Sequence, residues 1–464
     1  MFFRVIPSNW NWSWNQMREL VMEKKYHRQP GRYSKIAAIM SALIMGLGQL
    51  YNRQYIKGIL MLACYVFGVY TAITKLPHAF WGVVTLGETE TQLKKVGKLY
   101  KQVMGDHSIY LMIEGLITIF IMIVLIWLYV LSIKDAYRTG KLREDGVKPN
   151  TFRQTMNFIA SYRFPHIVLA IPMIGVVFFT IMPIVFMILV AFTNFTRDTM
   201  PPANLIDWHG FETFIDIFRI KTWSHTFYGI MSWTFIWALL TTLTGYFGGF
   251  AVALFVEQKG IRFKAFWRTI FILPFSIPMF VSTLILRNIF NGQFGPVNQY
   301  LSLLGFKKIP WLSDPLWAKV TLILVNFWLS FPVSMLMIIG ILSTIPKDMY
   351  EAADIDGANG FQKICLITFP SVMFSMAPLI IMQFVGNINN FNVVYLLTDG
   401  QPVNEDYQFA GHTDILISWL YKLSMEQGQY NFASVIGIFI FIILSVFAIW
   451  NVRRTKAFKE EDAI

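Results

Sequence analysis

Three side-chain amides, Gln383, Asn387 and Asn390, recur at helical spacing inside an otherwise apolar stretch. Residues four and three apart share one face of a helix, and Asn389 lies beside them. Amides donate and accept hydrogen bonds without carrying charge, which suits a neutral, hydroxyl-rich solute whose apolar faces pack on aromatic rings. Two roles are open to this face: it lines a polar passage, or it bridges neighbouring helices through hydrogen bonds.

A second polar constellation is EAADIDGANGFQKICLITFP, Glu351–Pro370, an island between two apolar runs. Pro346 suits a first helical position, where its missing N–H costs nothing. Asp348 and Glu351 follow, favoured by the helix dipole. Gly357 suits the left-handed residue that ends a helix, Asn359 caps the next one, and Pro370 marks the return to the apolar run. The expected product is a helix–turn–helix arm, longer than a connection between two spans needs to be. Ala352 and Ala353 leave a smooth patch for a close-approaching protein. Glu351, Asp354 and Asp356 offer charge to a partner's Arg or Lys. The alternative, an amphipathic loop on lipid headgroups, would set those carboxylates against an anionic leaflet.

Other chemistries find no residues. Gly140-Lys141 is followed by Leu142 and Gly97-Lys98 by Leu99, so neither forms a GxxxxGK[ST] phosphate loop with its Ser or Thr for Mg²⁺. No His, Cys and carboxylate set has metal spacing, and no catalytic triad is evident. Cys64 and Cys365 do not form a disulfide framework.

The elements that position these groups follow from composition. The 464 residues are 55% hydrophobic and only 14% charged, against about 25% charged in ordinary globular chains. The apolar residues come in continuous blocks of about 20, the length of a membrane-crossing helix, rather than in barrel-like alternation. The expectation is an all-α, polytopic integral membrane protein with about eight transmembrane helices, at residues 56–73, 109–133, 165–193, 228–256, 266–289, 317–342, 371–391 and 432–452. Ile36–Leu50 is too short for an easy crossing and suits an interfacial or re-entrant helix.

Charge sets the orientation. The net charge of +12 reflects cytoplasmic Lys and Arg rather than nucleic-acid binding. Lys134, Arg138, Lys141, Arg143, Lys148, Arg153 and Arg163 fall in one loop; Lys259, Arg262, Lys264 and Arg268 in another; Arg453, Arg454, Lys456 and Lys459 in the tail. Eight spans put all three on the cytoplasmic side, together with Arg18, Lys24, Lys25, Arg28, Arg32 and Lys35, and put Glu351–Pro370 there too. The segment from Leu76 to Ser108 runs against the rule, with Lys94, Lys95, Lys98 and Lys101 placed outside, offset in part by Glu88, Glu90 and Asp106. The N-terminus lacks the features of a secretory signal, so the first span is expected to direct insertion. Trp10, Trp12 and Trp14 suit an interfacial anchor, with a disordered tail as the alternative. The resulting organisation is a cytoplasmic or interfacial segment (1–55), accessory helices with a basic loop (56–164) and a core transmembrane domain (165–464) bearing the arm at 345–370. Pro274, Pro278, Pro332 and Pro378 lie within spans and suit kinks. Arg287 suits snorkelling, and Trp419 and Tyr421 suit interfacial anchoring.

The island resembles the EAA loop of the permease subunits of binding-protein-dependent ABC importers: Glu351, Ala352, Ala353, Gly357, Ile367 and Pro370 stand at its positions, with Phe369 where Leu is usual. NFWLSFP (Asn326–Pro332), NINNFNVVYLLTDGQP (Asn387–Pro402) and AGHTDILISWLY (Ala410–Tyr421) are similar to the maltose/maltodextrin permeases of the MalF type. The resemblance runs from about Pro165 to the C-terminus and is weaker before it. It implies the type I importer fold and transport of maltose, maltodextrin or a related oligosaccharide. Partners would be a second, MalG-type permease, two ATPase subunits that dock on Glu351, Ala352, Ala353, Asp354 and Gly357, and an extracellular sugar-binding lipoprotein. ATP and Mg would sit on the ATPase, with no cofactor on this chain. The short segment Asn194–Phe227, where Gram-negative members carry a large domain, implies a Gram-positive plasma membrane. Family sugar contacts map onto Leu329, Ser330, Val333, Gln383, Gly386, Asn387 and Asn390; Val333 and Gly386 replace aromatic rings. An ion- or proton-coupled secondary transporter is the alternative. It predicts ionisable residues in mid-span, whereas Glu114 and Arg287 lie near span ends. A membrane-insertion scaffold is a second alternative, which has no need of the amide face.

Overall fold

The computed structural model describes residues 32–96, 99–162, 164–258 and 260–454. The expected tryptophan anchor, most of the basic N-terminal segment and the end of the tail lie outside the described residues. The chain folds into two compact units: one runs to Phe186 and includes Thr199–Asp207, the other holds Met187–Asp198 and everything from Trp208.

The first unit begins with α1 (Tyr33–Leu43), α2 (Leu47–Tyr51), α3 (Tyr55–Thr74) and α4 (Leu76–Thr85). A hairpin of β1 (Gln92–Val96) and β2 (Leu99–Val103) follows, then α5 (Ser108–Glu144), α6 (Phe152–Tyr162) and α7 (Phe164–Val176). A π-helical turn at Val177–Ile181 separates α7 from α8 (Met182–Ala191), whose C-terminal half enters the second unit. The residues 36–50 are therefore two short helices with a turn at Gly46, and α1 packs along α5. Polar groups hold this contact. The Ser34 hydroxyl donates to Glu144, Gln49 donates to the Ser132 carbonyl and to Asp135, and Lys57 pairs with Asp135 at 2.6 Å.

Two expectations are corrected here. The segment after the second span is not loop from Lys134: α5 runs on to Glu144, because Lys141 and Arg143 complement its C-terminal dipole and Asp135 and Glu144 find partners on α1–α3. The segment Leu76–Ser108, expected as a loop, holds α4 and the hairpin, in which Lys94 pairs with Lys101 in register. Lysine-bearing edge strands carry little apolar signal, so the sequence pattern did not betray them.

The second unit continues with α9 (Glu212–Arg219), α10 (Lys221–Glu257), α11 (Lys264–Ser276), α12 (Met279–Ile289), α13 (Pro296–Leu303) and α14 (Pro315–Leu342). Then come α15 (Lys347–Ile355), α16 (Gly360–Lys363), a π-helical turn at Ile364–Thr368, α17 (Phe369–Ile388), α18 (Phe391–Leu397), α19 (Leu416–Tyr421) and α20 (Tyr430–Arg454). Among the described residues, seven helices are long and apolar enough to cross a membrane, and the apolar pair α11 and α12, bent by 90° at a short break, makes eight if it is counted as one span. The bend sits at Pro278. That ring removes a backbone donor and pushes the preceding residue out of the helical region, and Ile277 is extended with φ −91° and ψ 133°.

The core of this unit is α10, packed along α14 and α17. Small residues recur every four positions on α10, at Thr241, Gly245 and Gly249, which lets helix backbones approach closely. A Cβ on Gly249 would lie 2.5 Å from Ser334 Cβ and 2.8 Å from the Met335 backbone nitrogen. The outer connection is also packed. Trp419, expected at the interface, is fully buried and donates its indole N–H to the Gln408 carbonyl. Half-buried Tyr421 lies against Phe391 and Tyr395. Trp419 is covered because Trp223 and the α20 side pack over it.

Candidate functional site

The amide face of α17 sits where three helices meet. Asn387 Nδ2 donates to Thr242 Oγ1 on α10 at 3.0 Å, and the Trp237 indole donates to the Asn387 carbonyl at 3.0 Å. Asn390 donates to Asn326 Oδ1 on α14 at 3.0 Å, and Gln383 reaches Ser334 Oγ at 3.4 Å. Helix α17 ends at this point because the Asn390 side chain caps α18 by accepting the Val393 N–H. The neutral groups thus form a polar seam, buried at Asn387 and half-buried at Gln383 and Asn390, with Asn326 Nδ2 and the Tyr246 hydroxyl buried and without partners.

The other mapped positions separate. Ser330 approaches α10 opposite Gly245, where an added Cβ would meet its Oγ at 2.6 Å. Leu329 packs half-buried against the cluster of Trp233, Trp237 and Val325. Val333 is half-buried on α14. Gly386 faces away, exposed, with open space around it, on the same side of α17 as Met382 and Leu379. So Gln383, Asn387, Asn390 and Ser330 line one seam, while Gly386 belongs to the outer face of the helix. Thr242, Trp237, Ser334 and Asn326 complete the seam; of these the sequence marked only Asn326, as the start of NFWLSFP, and for α10 the four-residue repeat of small residues was the available signal.

At the end of the seam, Lys319 Nζ lies 4.6 Å from the centre of the Trp233 ring, and the Trp233 indole donates to the Thr413 carbonyl at 3.2 Å. Beside it, burial and the Lys319 charge hold the His412 imidazole below its usual range. The connecting loop is tied by Asp414, which accepts from Lys422 at 2.9 Å, from the Gly411 N–H at 2.7 Å and from Ser418. Burial pushes the Asp414 carboxyl up, and Lys422 and the Gly411 N–H only partly offset this.

The arm between α14 and α17 is built from the residues that its sequence singles out. Pro346 stands one place earlier than expected, as the cap of α15 rather than its first residue. Gly357 takes φ +75°, the left-handed geometry that a Cβ resists. Asn359 and Gln362 form a reciprocal capping box on α16. The Tyr350 hydroxyl bonds Thr368 Oγ1 at 2.9 Å and ties α15 to the root of α17, and Lys363 pairs with Asp354. Phe369 packs edge-on against Phe250 with ring centres 5.6 Å apart, so it keeps the apolar contact of the residue that it replaces. No residue of α15 or α16 is buried. Glu351, Ala352 and Gly357 are exposed and Ala353 is half-buried. Ile355 and Phe361 are 87% and 75% exposed, an apolar surface beside the Glu351 carboxylate.

Comparison with known proteins agrees with this architecture. Residues 245–456 match the model of the binding-protein-dependent transport system inner membrane component family. A galactooligosaccharides transport system permease protein, GanP of Bacillus subtilis, is 39% identical over 91% of this chain and 98% of its own length. A maltodextrin transport system permease protein, MdxF of the same organism, is 33% identical over 94% of this chain and 99% of its own. A maltose/maltodextrin permease, MalF of Escherichia coli, is 36% identical over 53% of this chain and 49% of its own. A solved bacterial ABC transporter involved in alginate import shares the fold, with a TM-score of 0.51 and 21% identity over 65% of this chain and 99% of that one. Nothing in these relatives supports ion-coupled transport. The chain is thus a multi-pass ABC importer permease and belongs to the family of binding-protein-dependent transport system inner membrane components.

Proposed function

We propose that this chain is one of two homologous permeases of an ATP-driven importer of a linear oligosaccharide, in the plasma membrane of a Gram-positive bacterium. Relatives in Bacillus and Streptococcus, named for maltodextrins or galactooligosaccharides, support the substrate class and the setting. The observation that carries the reading is the arm: an exposed, capped helix pair with Glu351, Ile355 and Phe361 outward, joined to α17 through Tyr350 and Thr368. Two separate ATPase subunits would seat Glu351, Ala352, Ala353, Asp354 and Gly357, and ATP with its Mg would be hydrolysed there. A push on α15 then moves α17.

The seam suits that movement. Each interhelical hydrogen bond in a membrane protein contributes only about 0.6 kcal/mol, so Gln383, Asn387 and Asn390 can exchange Ser334, Thr242 and Asn326 for sugar hydroxyls at small cost. Leu329, Ser330 and Val333 on α14 would complete the path, with the external lipoprotein delivering sugar to it. The small side chain at Val333, in place of an aromatic ring, would favour chains longer than a disaccharide. The test is Glu351→Lys and Gly357→Pro in the assembled transporter. Loss of ATP-coupled sugar uptake with the chain still inserted at normal level is expected. Full uptake by both variants would refute the arm's role. Thermal stabilisation of the binding lipoprotein by panels of maltodextrins and galactooligosaccharides then decides the sugar.

A further inference from the structure

A cleft of about 190 Å³ lies in the first unit, between the start of α3 and the start of α6, whereas the seam and the arm belong to the second. Its polar wall is Arg53, Gln54 and Lys57; its apolar wall includes Tyr55, Ile56 and Phe152. We propose that this cleft binds the phosphate of an anionic phospholipid headgroup.

Its position suits that ligand. Arg53 immediately precedes a span, and the turn at 145–151 immediately follows another whose end carries Lys134, Arg138, Lys141 and Arg143. Basic span ends mark the cytoplasmic side, where the leaflet is anionic and basic pockets between helices take lipid headgroups. Tyr55 and Ile56 are 63% and 54% exposed at the mouth, which gives acyl chains an apolar surface next to the polar wall.

The polar wall is chemically incomplete. Lys57 shares its charge with Asp135 at 2.6 Å. The Arg53 guanidinium has no ion-pair partner among the described residues, and five donors on a fixed plane suit phosphate oxygens. Arg53 also sits at φ +62°, in the left-handed region where Asn is several-fold enriched, so backbone economy does not explain an arginine there. Gln54 Nε2 donates to the Asn150 carbonyl at 3.3 Å, while its Oε1 is buried without a partner. That acceptor suits a headgroup hydroxyl. The start of α6 is not the source of attraction, because Thr151 and Gln154 cap it reciprocally.

The probe is phosphatidylglycerol, with phosphatidylcholine as control, offered to the full-length chain and read by native mass spectrometry. Arg53→Asn keeps the backbone geometry and removes the guanidinium. Arg138→Asn removes the same charge from an exposed position on α5. The expected result is selective retention of phosphatidylglycerol, reduced about fivefold or more by Arg53→Asn, at least the worth of one basic residue at an anionic surface, and clearly less by Arg138→Asn. Retention that millimolar inorganic phosphate does not displace assigns the site to lipid. Thermal stabilisation by inorganic phosphate that depends on Arg53, without lipid retention, assigns the same phosphate chemistry to a soluble anion. Equal retention of both lipids, or equal losses in the two variants, overturns the proposal. Neither readout uses transport, so the result is independent of the sugar and of the ATPase.

Discussion

The contact between α10 and α14 makes a quantitative test of what holds the permease core together. Substituting Gly249→Ala places a Cβ 2.5 Å from Ser334 Cβ, 2.8 Å from Met335 N and 3.0 Å from the Phe331 carbonyl oxygen. Two of those atoms belong to backbone, so no side-chain rotation relieves the collision and the helices must separate. Overpacking of this kind costs about 1–3 kcal/mol. Gly340→Ala is the matched control: it lies on α14, and an added Cβ there meets nothing within 4 Å. Both changes gain the same helix propensity, about 1 kcal/mol, so their difference isolates the collision. Unfolding free energies in detergent titrated with sodium dodecyl sulfate should place Gly249→Ala about 1–3 kcal/mol below Gly340→Ala. Gln383–Ser334 and Asn387–Thr242 should loosen with it, which lowers sugar uptake. Should the two variants agree within about 0.5 kcal/mol, the usual size of a surface substitution effect, close backbone packing of α10 on α14 is wrong.

Tyr350→Phe removes the bond to Thr368 without changing the docking surface; a hydrogen bond of this kind is worth about 1 kcal/mol, so ATP-driven uptake should fall about fivefold while the ATPase still co-purifies. Lys422→Met leaves the Asp414 carboxylate buried without its cation and should cost about 3–5 kcal/mol, and the double change with Asp414→Asn, which removes the charge but keeps an acceptor for the Gly411 N–H, should recover part of it, as thermal unfolding will show. Asp106 accepts from the backbone N–H groups of Glu88 and Thr89 and from the Thr89 hydroxyl, which holds its carboxyl below the ordinary value of 3.8. The folded form therefore binds fewer protons, and the stabilisation is complete above that value and lost as pH falls through the lower, folded one. Amide exchange at Glu88 and Thr89 should stay slow down to the ordinary carboxylate range and quicken below it, and in Asp106→Asn it should be fast and nearly independent of this protonation.

The membrane class and the arm were legible in the order of residues alone. Continuous apolar blocks have one physical outcome in lipid, because a helix satisfies its own backbone hydrogen bonds. Pro346, Gly357 and Asn359 act through backbone geometry within a few residues, so their consequences are local and readable. The amides of α17 were legible as a polar face, but their partners were not. Asn387 meets Thr242 and Asn390 meets Asn326 only because α10 and α14 pack at a distance that depends on Gly245 and Gly249. Nor could helical periodicity reveal that Gly386 turns outward while its neighbour Asn387 is buried, that Trp419 lies in a core rather than at an interface, or that a lysine-rich segment pairs as a hairpin. Those outcomes depend on what the rest of the chain brings alongside. Hydrogen-bond partners, burial and the cleft at Arg53 are properties of tertiary proximity, whereas caps, turns and spans are properties of neighbours along the chain.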